Sequence, residues 1–197
     1  MRTFIAVEPP QDLRNRVSAA VGKLAALLAE QNAASALHWS PAGNYHLTLR
    51  FLGDTSAGQR QQIDALLKTT TAACPPFSLA LNGLGAFPNW RKMRVLWVGI
   101  EGHVAALAGV QTAVEMGVRE CGFAQERQGF HPHLTVARTS RDAPNRLITQ
   151  AAALLAAHTK LAQELGQWEV SELVLMRSDV RPGGTVYTVL GRFPLAG

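Results

Sequence analysis

The stretch Asn44–Leu52, NYHLTLRFL, decides the fold because it returns with small changes as FHPHLTVAR at Phe130–Arg138. Each copy contains a His-x-Thr-x tetrad in which polar and apolar residues alternate, the pattern of a strand with one buried and one open face. The histidine and the threonine of each copy should therefore point the same way. The repeat predicts two equivalent strands that line one surface with His46, Thr48, His133 and Thr135.

The elements around the two copies also repeat: strand, helix, tetrad strand, helix, strand, and then the same series again. The expected strands are Thr3–Glu8, Tyr45–Leu52, Phe77–Leu81, Val95–Ile100, His133–Arg138, Trp168–Met176 and Thr185–Phe193. The expected helices are Gln11–Gln31, a second one capped by Thr55 or Ser56 and ending near Thr71, Val104–Cys121 and Pro144–Leu161. The last two strands should form a hairpin across Arg181–Gly184, where two glycines allow positive φ. We therefore predict an α+β fold, a single domain of two pseudo-symmetric lobes at roughly 1–92 and 93–197 with the tetrads facing across a central cleft.

The composition, 47% hydrophobic and 17% charged over 197 residues, is that of a globular protein with a substantial core. No apolar run approaches the roughly 20 residues of a membrane span. The opening MRTFIAVEPP lacks the features of a secretory signal. Cys74 and Cys121 are too few for a disulfide framework. We expect a cytoplasmic monomer that does not associate with a membrane.

The two histidines suggest acid and base chemistry, since one neutral and one protonated imidazole can move protons in opposite directions at neutral pH. Cleavage of a phosphodiester needs such a pair, together with donors for the non-bridging oxygens, a role that fits the two threonines. The net charge of +5, carried by an excess of arginine, is compatible with a nucleic-acid partner. Further candidates for substrate binding are Arg50, Arg138, Trp90 and Tyr187, the last two as surfaces on which an RNA base could stack.

The sequence resembles the two-histidine (2H) phosphoesterases, and within them the bacterial RNA 2′,3′-cyclic phosphodiesterases, also called 2′-5′ RNA ligases. The resemblance rests on five blocks in the family's order: RTFIAVEPP from Arg2, HWSPAGNYHLTLRFLGD from His38, FPNWRKMRVLWVGIEG from Phe87, FHPHLTVAR from Phe130 and LVLMRSDVRPGGTVYTVL from Leu173. It implies concave antiparallel sheets around the cleft with helices outside.

The resemblance also implies an activity, the metal-independent hydrolysis of RNA 2′,3′-cyclic phosphate ends, such as those of tRNA fragments, to 2′-phosphates. By the same resemblance His46 would be the proton donor to the leaving oxygen and His133 the proton acceptor that activates water. Thr48 and Thr135 would bind the phosphate. No cofactor is implied, and the reverse reaction would join RNA ends through a 2′-5′ linkage.

Two other functions remain open from the sequence. The same chemistry could act on small cyclic phosphates or 2′-5′ oligoadenylate, or the fold could serve a non-catalytic protein that binds RNA ends. His131 lies two residues before His133 and could join His46 in a zinc site, but no Cys or carboxylate at ligand spacing completes the set, so we expect no metal. His38, His103 and His158 are expected to be half-buried polar residues without a catalytic role.

Overall fold

All the strands join one curled antiparallel sheet in a computed structural model, which describes residues 1–182 and 184–197. The strands are β1 Arg2–Val7, β2 Leu37–Trp39, β3 Leu47–Asp54, β4 Phe77–Phe87, β5 Val95–Gly102, β6 His133–Thr139, β7 Gly166–Val170, β8 Glu172–Arg181 and β9 Gly184–Pro194. The helices are α1 Gln11–Glu30, α2 Ala57–Ala72, α3 Val104–Glu120 and α4 Asn145–Ala157. Short 3₁₀ turns cover Ala34–Ala36, Ala42–Asn44, Trp90–Lys92 and Thr159–Ala162. The α+β class and the curled antiparallel sheet are confirmed.

The sheet has a seam between the two tetrad strands. Its order is β7-β4-β5-β6-β3-β1-β8-β9, with β2 added beside β6. At the seam, β3 and β6 pair at one position, Leu47 with Leu134. An antiparallel register that continues from this pair sets His46 across from Thr135, and Thr48 across from His133. The two tetrads are therefore related by an approximate two-fold axis through the seam.

The two half-sheets do not follow the expected division near residue 92. The strand β4 lies in the first half of the chain but pairs with β5 and β7. The hairpin of β8 and β9 comes from the end of the chain and pairs with β1. Each half-sheet is thus completed by strands from the other half of the sequence.

Two further local expectations change, and a third is confirmed. The segment expected to be one strand, Trp168–Met176, is interrupted at Ser171, since β7 pairs with β4 while β8 pairs with β1. The chain crosses there from one half-sheet to the other. The hairpin of β8 and β9 is confirmed, with Gly184 at φ +131°, and Gly183 lies outside the described residues. The strand β2 lies between the first expected helix and the first tetrad strand, where no strand was expected, and it pairs with β6.

The main core lies between the sheet and the helices. It combines alternate residues of the strands, such as Ile5 and Val7 in β1, with the inner faces of the helices. Ser56 caps α2, because it accepts the backbone N–H of Gln59 while the Gln59 side chain accepts that of Ser56. Thr55 is not the cap; its hydroxyl bonds that of Thr3 at 2.6 Å.

A smaller apolar cluster covers the opposite face of β1 and β8. It consists of Phe4, Ala6, Val174 and Met176. Within the described ranges, no helix has the length and apolarity needed to cross a membrane.

Candidate active site

A cleft with a volume of about 660 Å³ opens at the seam of the sheet. It brings together six of the residues that the sequence nominated: His46, Thr48, His133, Thr135, Arg138 and Tyr187. The hydroxyls of Thr48 and Thr135 form no hydrogen bond with another protein group among residues 1–182 and 184–197. Both hydroxyls are therefore available to a ligand in the cleft.

Each histidine ring is oriented by a backbone carbonyl two residues earlier. His46 Nδ1 lies 2.8 Å from Asn44 O, and His133 Nδ1 lies 2.7 Å from His131 O. Because a carbonyl oxygen can only accept, each Nδ1 carries the proton of its hydrogen bond. Each Nε2 is thus the nitrogen left to exchange a proton with a substrate.

Each histidine ring also packs against two aromatic side chains. The centroid of the His46 ring lies 4.7 Å from that of Phe4 and 4.9 Å from that of Tyr187. The His133 ring lies 4.8 Å from Phe87, and 6.2 Å from Trp97. These contacts limit ring rotation and shield both imidazoles from water.

The surroundings of both histidines favour the neutral imidazole. Burial, followed by the positive charges of His133 and Arg138, lowers the pKa of His46 from 6.5 to about 4, although the hydrogen bond to Asn44 opposes the shift. Burial and the neighbouring charge of Arg138 also lower the pKa of His133. In the free protein at neutral pH, the cleft therefore offers two neutral imidazoles, and a bound anion would favour their protonation.

A bulge in each tetrad strand decides which later side chains reach the cleft. In β3 the partners of Ile5 and Ala6 are Arg50 and Thr48, so Leu49 is an extra residue. In β6, Val136 is the extra residue between Ala137 and Thr135. Because an extra residue reverses the alternation, the residue five after each histidine faces the cleft, and the one four after it turns away.

Arg138 and Phe51 occupy these equivalent positions, five after His133 and His46, and both line the cleft. Phe51 is 59% exposed, an unusual state for a large apolar side chain. Arg50, expected on the cleft face, instead lies 8% exposed on the other side of the strand. Its guanidinium is held there by Glu115.

Trp90 also lies away from the cleft. It is partly buried against the main core, in a 3₁₀ turn that packs on α4. Arg50 and Trp90 are thus the two candidates that the structure does not bring to the other six.

Several cleft residues were missed by sequence reasoning. His38, assigned no role, lies on β2 opposite Arg138 and lines the cleft. Asn44 donates from Nδ2 to Thr185 O at 2.9 Å, which holds the β8–β9 hairpin against the turn before β3. A detectable signal existed for Phe51, because aligning the two copies pairs it with Arg138.

Fold and site together define a class, the two-histidine phosphoesterases: a curled antiparallel sheet whose seam carries two His-x-Thr motifs facing one cleft. Residues 9–182 match the family described as the 2′-5′ RNA ligase superfamily. The chain belongs to that superfamily.

Relatives and solved structures agree with this assignment. The chain is 32% identical over 199 residues, 99% of each protein, to a protein of Methanothermobacter thermautotrophicus named RNA 2′,3′-cyclic phosphodiesterase. It resembles the crystal structure of TT0787 of Thermus thermophilus at TM-score 0.78 and 28% identity, over 100% of this chain and 99% of that one. It also resembles E. coli LigT in complex with 3′-AMP, at TM-score 0.74 and 25% identity, over 100% of this chain and 98% of that one.

Proposed function

We propose that this protein is a phosphoric diester hydrolase that opens RNA 2′,3′-cyclic phosphate ends to 2′-phosphates. The observation that carries the proposal is the cleft itself, in which two oriented histidines and two unengaged threonine hydroxyls meet at the seam. The names of the relatives point to the same substrate, since the protein of Methanothermobacter thermautotrophicus is called an RNA 2′,3′-cyclic phosphodiesterase. LigT, of the same fold, has been crystallised with 3′-AMP.

The reaction needs one proton removed and one supplied. His133 Nε2 takes a proton from water as the water oxygen forms a bond to phosphorus. His46 Nε2 gives a proton to the 3′ oxygen as the bond between that oxygen and phosphorus breaks. The bond to the 2′ oxygen stays intact, so the product is a 2′-phosphate with a free 3′-hydroxyl.

The threonines would bind the phosphate between the two histidines. The register at the seam sets each threonine across from the histidine of the other tetrad. A phosphate held there can accept a hydrogen bond from each hydroxyl at its non-bridging oxygens, where negative charge concentrates. Arg138 lines the same cleft and adds a positive charge, and no salt bridge among the described residues involves it.

His46 has a low pKa for a proton donor, and the negative charge of the substrate would raise that pKa. The pKa of His46 near 4 belongs to the free protein, where burial and, after it, the positive charges of His133 and Arg138 disfavour the imidazolium. A cyclic phosphate is an anion, and its arrival offsets those charges and favours the imidazolium. His46 would thus acquire its proton together with the substrate.

Recognition of an RNA end would use the aromatic surfaces of the cleft. Phe51 and Tyr187 line the cleft near His46 and offer faces on which an unpaired base can stack. We infer a monomer that acts in the cytoplasm on RNA ends such as those of tRNA fragments. The free thiols of Cys74 and Cys121 suit a reducing compartment.

The test is turnover of an RNA oligonucleotide that ends in a 2′,3′-cyclic phosphate. His46→Ala and His133→Ala should each lower kcat by about 10²–10⁴-fold, the usual contribution of general acid–base catalysis. His103→Ala, at an exposed histidine before α3, is the matched control and should leave kcat unchanged. Near wild-type turnover by both cleft variants would refute the proposal, and binding without turnover by the wild-type protein would instead indicate a non-catalytic RNA-end binder.

Metal independence is a separate part of the proposal. Across 1–182 and 184–197, no three His, Cys, Asp or Glu side chains are grouped to hold a metal ion. Turnover should persist in excess chelator. Loss of turnover that a divalent cation restores would contradict this part.

Ligation is the second candidate, favoured by membership of the 2′-5′ RNA ligase superfamily. By microscopic reversibility the same groups can activate a 5′-hydroxyl RNA end against the cyclic phosphate and form a 2′-5′ linkage. Mixing both RNA ends at high concentration should yield a small amount of 2′-5′-linked product. A panel of cyclic mononucleotides, 2′-5′ oligoadenylate and RNA oligomers separates this enzyme from one that prefers small substrates.

A further inference from the structure

Arg50 is buried behind the cleft and connects three parts of the chain. Its Nε donates to Glu115 of α3 at 2.5 Å, and its terminal nitrogens donate to the backbone oxygens of Phe51 and Ala124. Glu126 lies 3.5 Å from the same guanidinium. The side chain is 8% exposed, so most of its donors are withdrawn from water and depend on these partners.

The two carboxylates extend the contacts of Arg50 into the segment before β6. Glu115 accepts the backbone N–H of Glu126 at 3.0 Å, and Glu126 accepts those of Arg127 and Gln128 at 2.9 and 3.2 Å. Residues 123–132 form neither helix nor strand. Phe123 and Phe130 pack this segment against the core, and the arginine with its two acids fixes the backbone between them.

The other end of the same segment orients a catalytic candidate. The carbonyl of His131 accepts from His133 Nδ1 at 2.7 Å. The corresponding anchor of His46 is the carbonyl of Asn44, which ends a 3₁₀ turn and is tied to Thr185. The two histidines thus have similar hydrogen bonds but different supports, and the support of His133 leads back to Arg50.

We propose that Arg50 is a positioning residue: from the strand of the first tetrad it fixes segment 123–132 and thereby the carbonyl that orients the histidine of the second tetrad. It touches no substrate, since it faces away from the cleft. This role of Arg50 rests on the proposed function only where kcat is the quantity measured.

The test compares Arg50→Met, which keeps the length of the side chain but removes its donors, with Arg60→Met. Arg60 is a matched control because it also binds a carboxylate, Asp64 at 2.9 Å, and a distant backbone carbonyl, Leu190 O at 2.8 Å. Arg50→Met should lower kcat by about 10²-fold, the cost of misplacing a catalytic group by roughly 1 Å, with KM nearly unchanged. Arg50→Lys should recover part of the loss, and Arg60→Met should keep wild-type kcat.

A second readout is independent of activity. The imidazole ¹⁵N signals of His133, assigned with a His133→Asn variant, should show one tautomer, protonated at Nδ1, in the wild-type protein and in Arg60→Met. Arg50→Met should show a mixture of tautomers. Should Arg50→Met fail to fold, Glu126→Ala replaces it, since Glu126 is 38% exposed and its loss frees the same segment.

The outcomes separate this inference from the proposed function. A folded Arg50→Met with wild-type kcat, or one with lowered kcat and an unchanged His133 tautomer, would overturn the positioning role. Inactive wild-type protein would overturn the proposed function instead, while the tautomer measurement would still decide the role of Arg50.

Discussion

Replacement of His46 by asparagine should make the protein more resistant to acid. Burial lowers the pKa of His46 from 6.5 to about 4. Between these two pH values the unfolded chain binds a proton at His46 that the folded protein does not bind. Protonation therefore favours unfolding, and the stability that neutral His46 contributes is lost as the pH falls below 6.5.

The pKa difference sets the magnitude. From pH 7 to pH 5, the His46 contribution to the free energy of unfolding should fall by about 2 kcal/mol. The amide introduced by His46→Asn would keep a side-chain N–H that can donate to the Asn44 carbonyl but has no proton to gain. The wild-type protein should thus lose about 2 kcal/mol more than His46→Asn over this interval.

Urea unfolding at the two pH values measures the difference directly. His103→Asn removes an exposed histidine outside the cleft and should retain the wild-type loss. Comparing losses within each protein removes the effect that each substitution has on stability at pH 7. Equal losses in the wild-type protein and His46→Asn would refute the account of a buried neutral imidazole.

Three further predictions concern catalysis. Thr48→Val and Thr135→Val should each lower kcat by about 10²–10³-fold, because each removes a donor to the phosphate, and turnover close to wild type in either would contradict that role. Phe51→Ala should raise KM for an RNA oligonucleotide by about 5–100-fold with kcat retained, and an unchanged KM would show that no base stacks there. Because the pKa values of His46 and His133 both lie below 6.5, the reactive pair of one protonated and one neutral imidazole becomes scarcer above that pH. The kcat/KM profile should therefore peak below pH 6.5 and fall about tenfold per pH unit above it, and a maximum at alkaline pH would contradict the assigned pair.

The repeated tetrads were sufficient to predict the residues at the seam. Alternation sends the histidine and threonine of each copy to one face, and the cleft contains His46, Thr48, His133 and Thr135. Their roles in catalysis remain predictions. The order of helices and most strands also followed from periodicity, because each amphipathic element has a clear apolar face.

The placement of Arg50 was wrong because strict alternation was extended past a bulge. Leu49 adds one residue to β3 and turns Arg50 toward Glu115, while Phe51 takes the cleft position. Comparing the copies position by position would have indicated the error. Arg50 aligns with buried Ala137, so Arg50 and Arg138 could not both reach the cleft.

The composition of the half-sheets could not be predicted from the order of elements alone. Whether β4 pairs with β1 or β5 depends on contacts between distant parts of the chain, which local patterns do not encode. The interruption at Ser171 has the same origin. Trp168–Met176 reads as one apolar strand, and only the pairing of its two parts with different partners divides it.

The identity of the product tests the central claim most directly. An RNA oligonucleotide with a 2′,3′-cyclic phosphate end is incubated with the wild-type protein, and the phosphomonoester is identified by ³¹P NMR against both authentic isomers. Protonation of the 3′ oxygen by His46 and attack by water activated by His133 predict a 2′-phosphate. A 3′-phosphate, or no hydrolysis at all, would contradict the account.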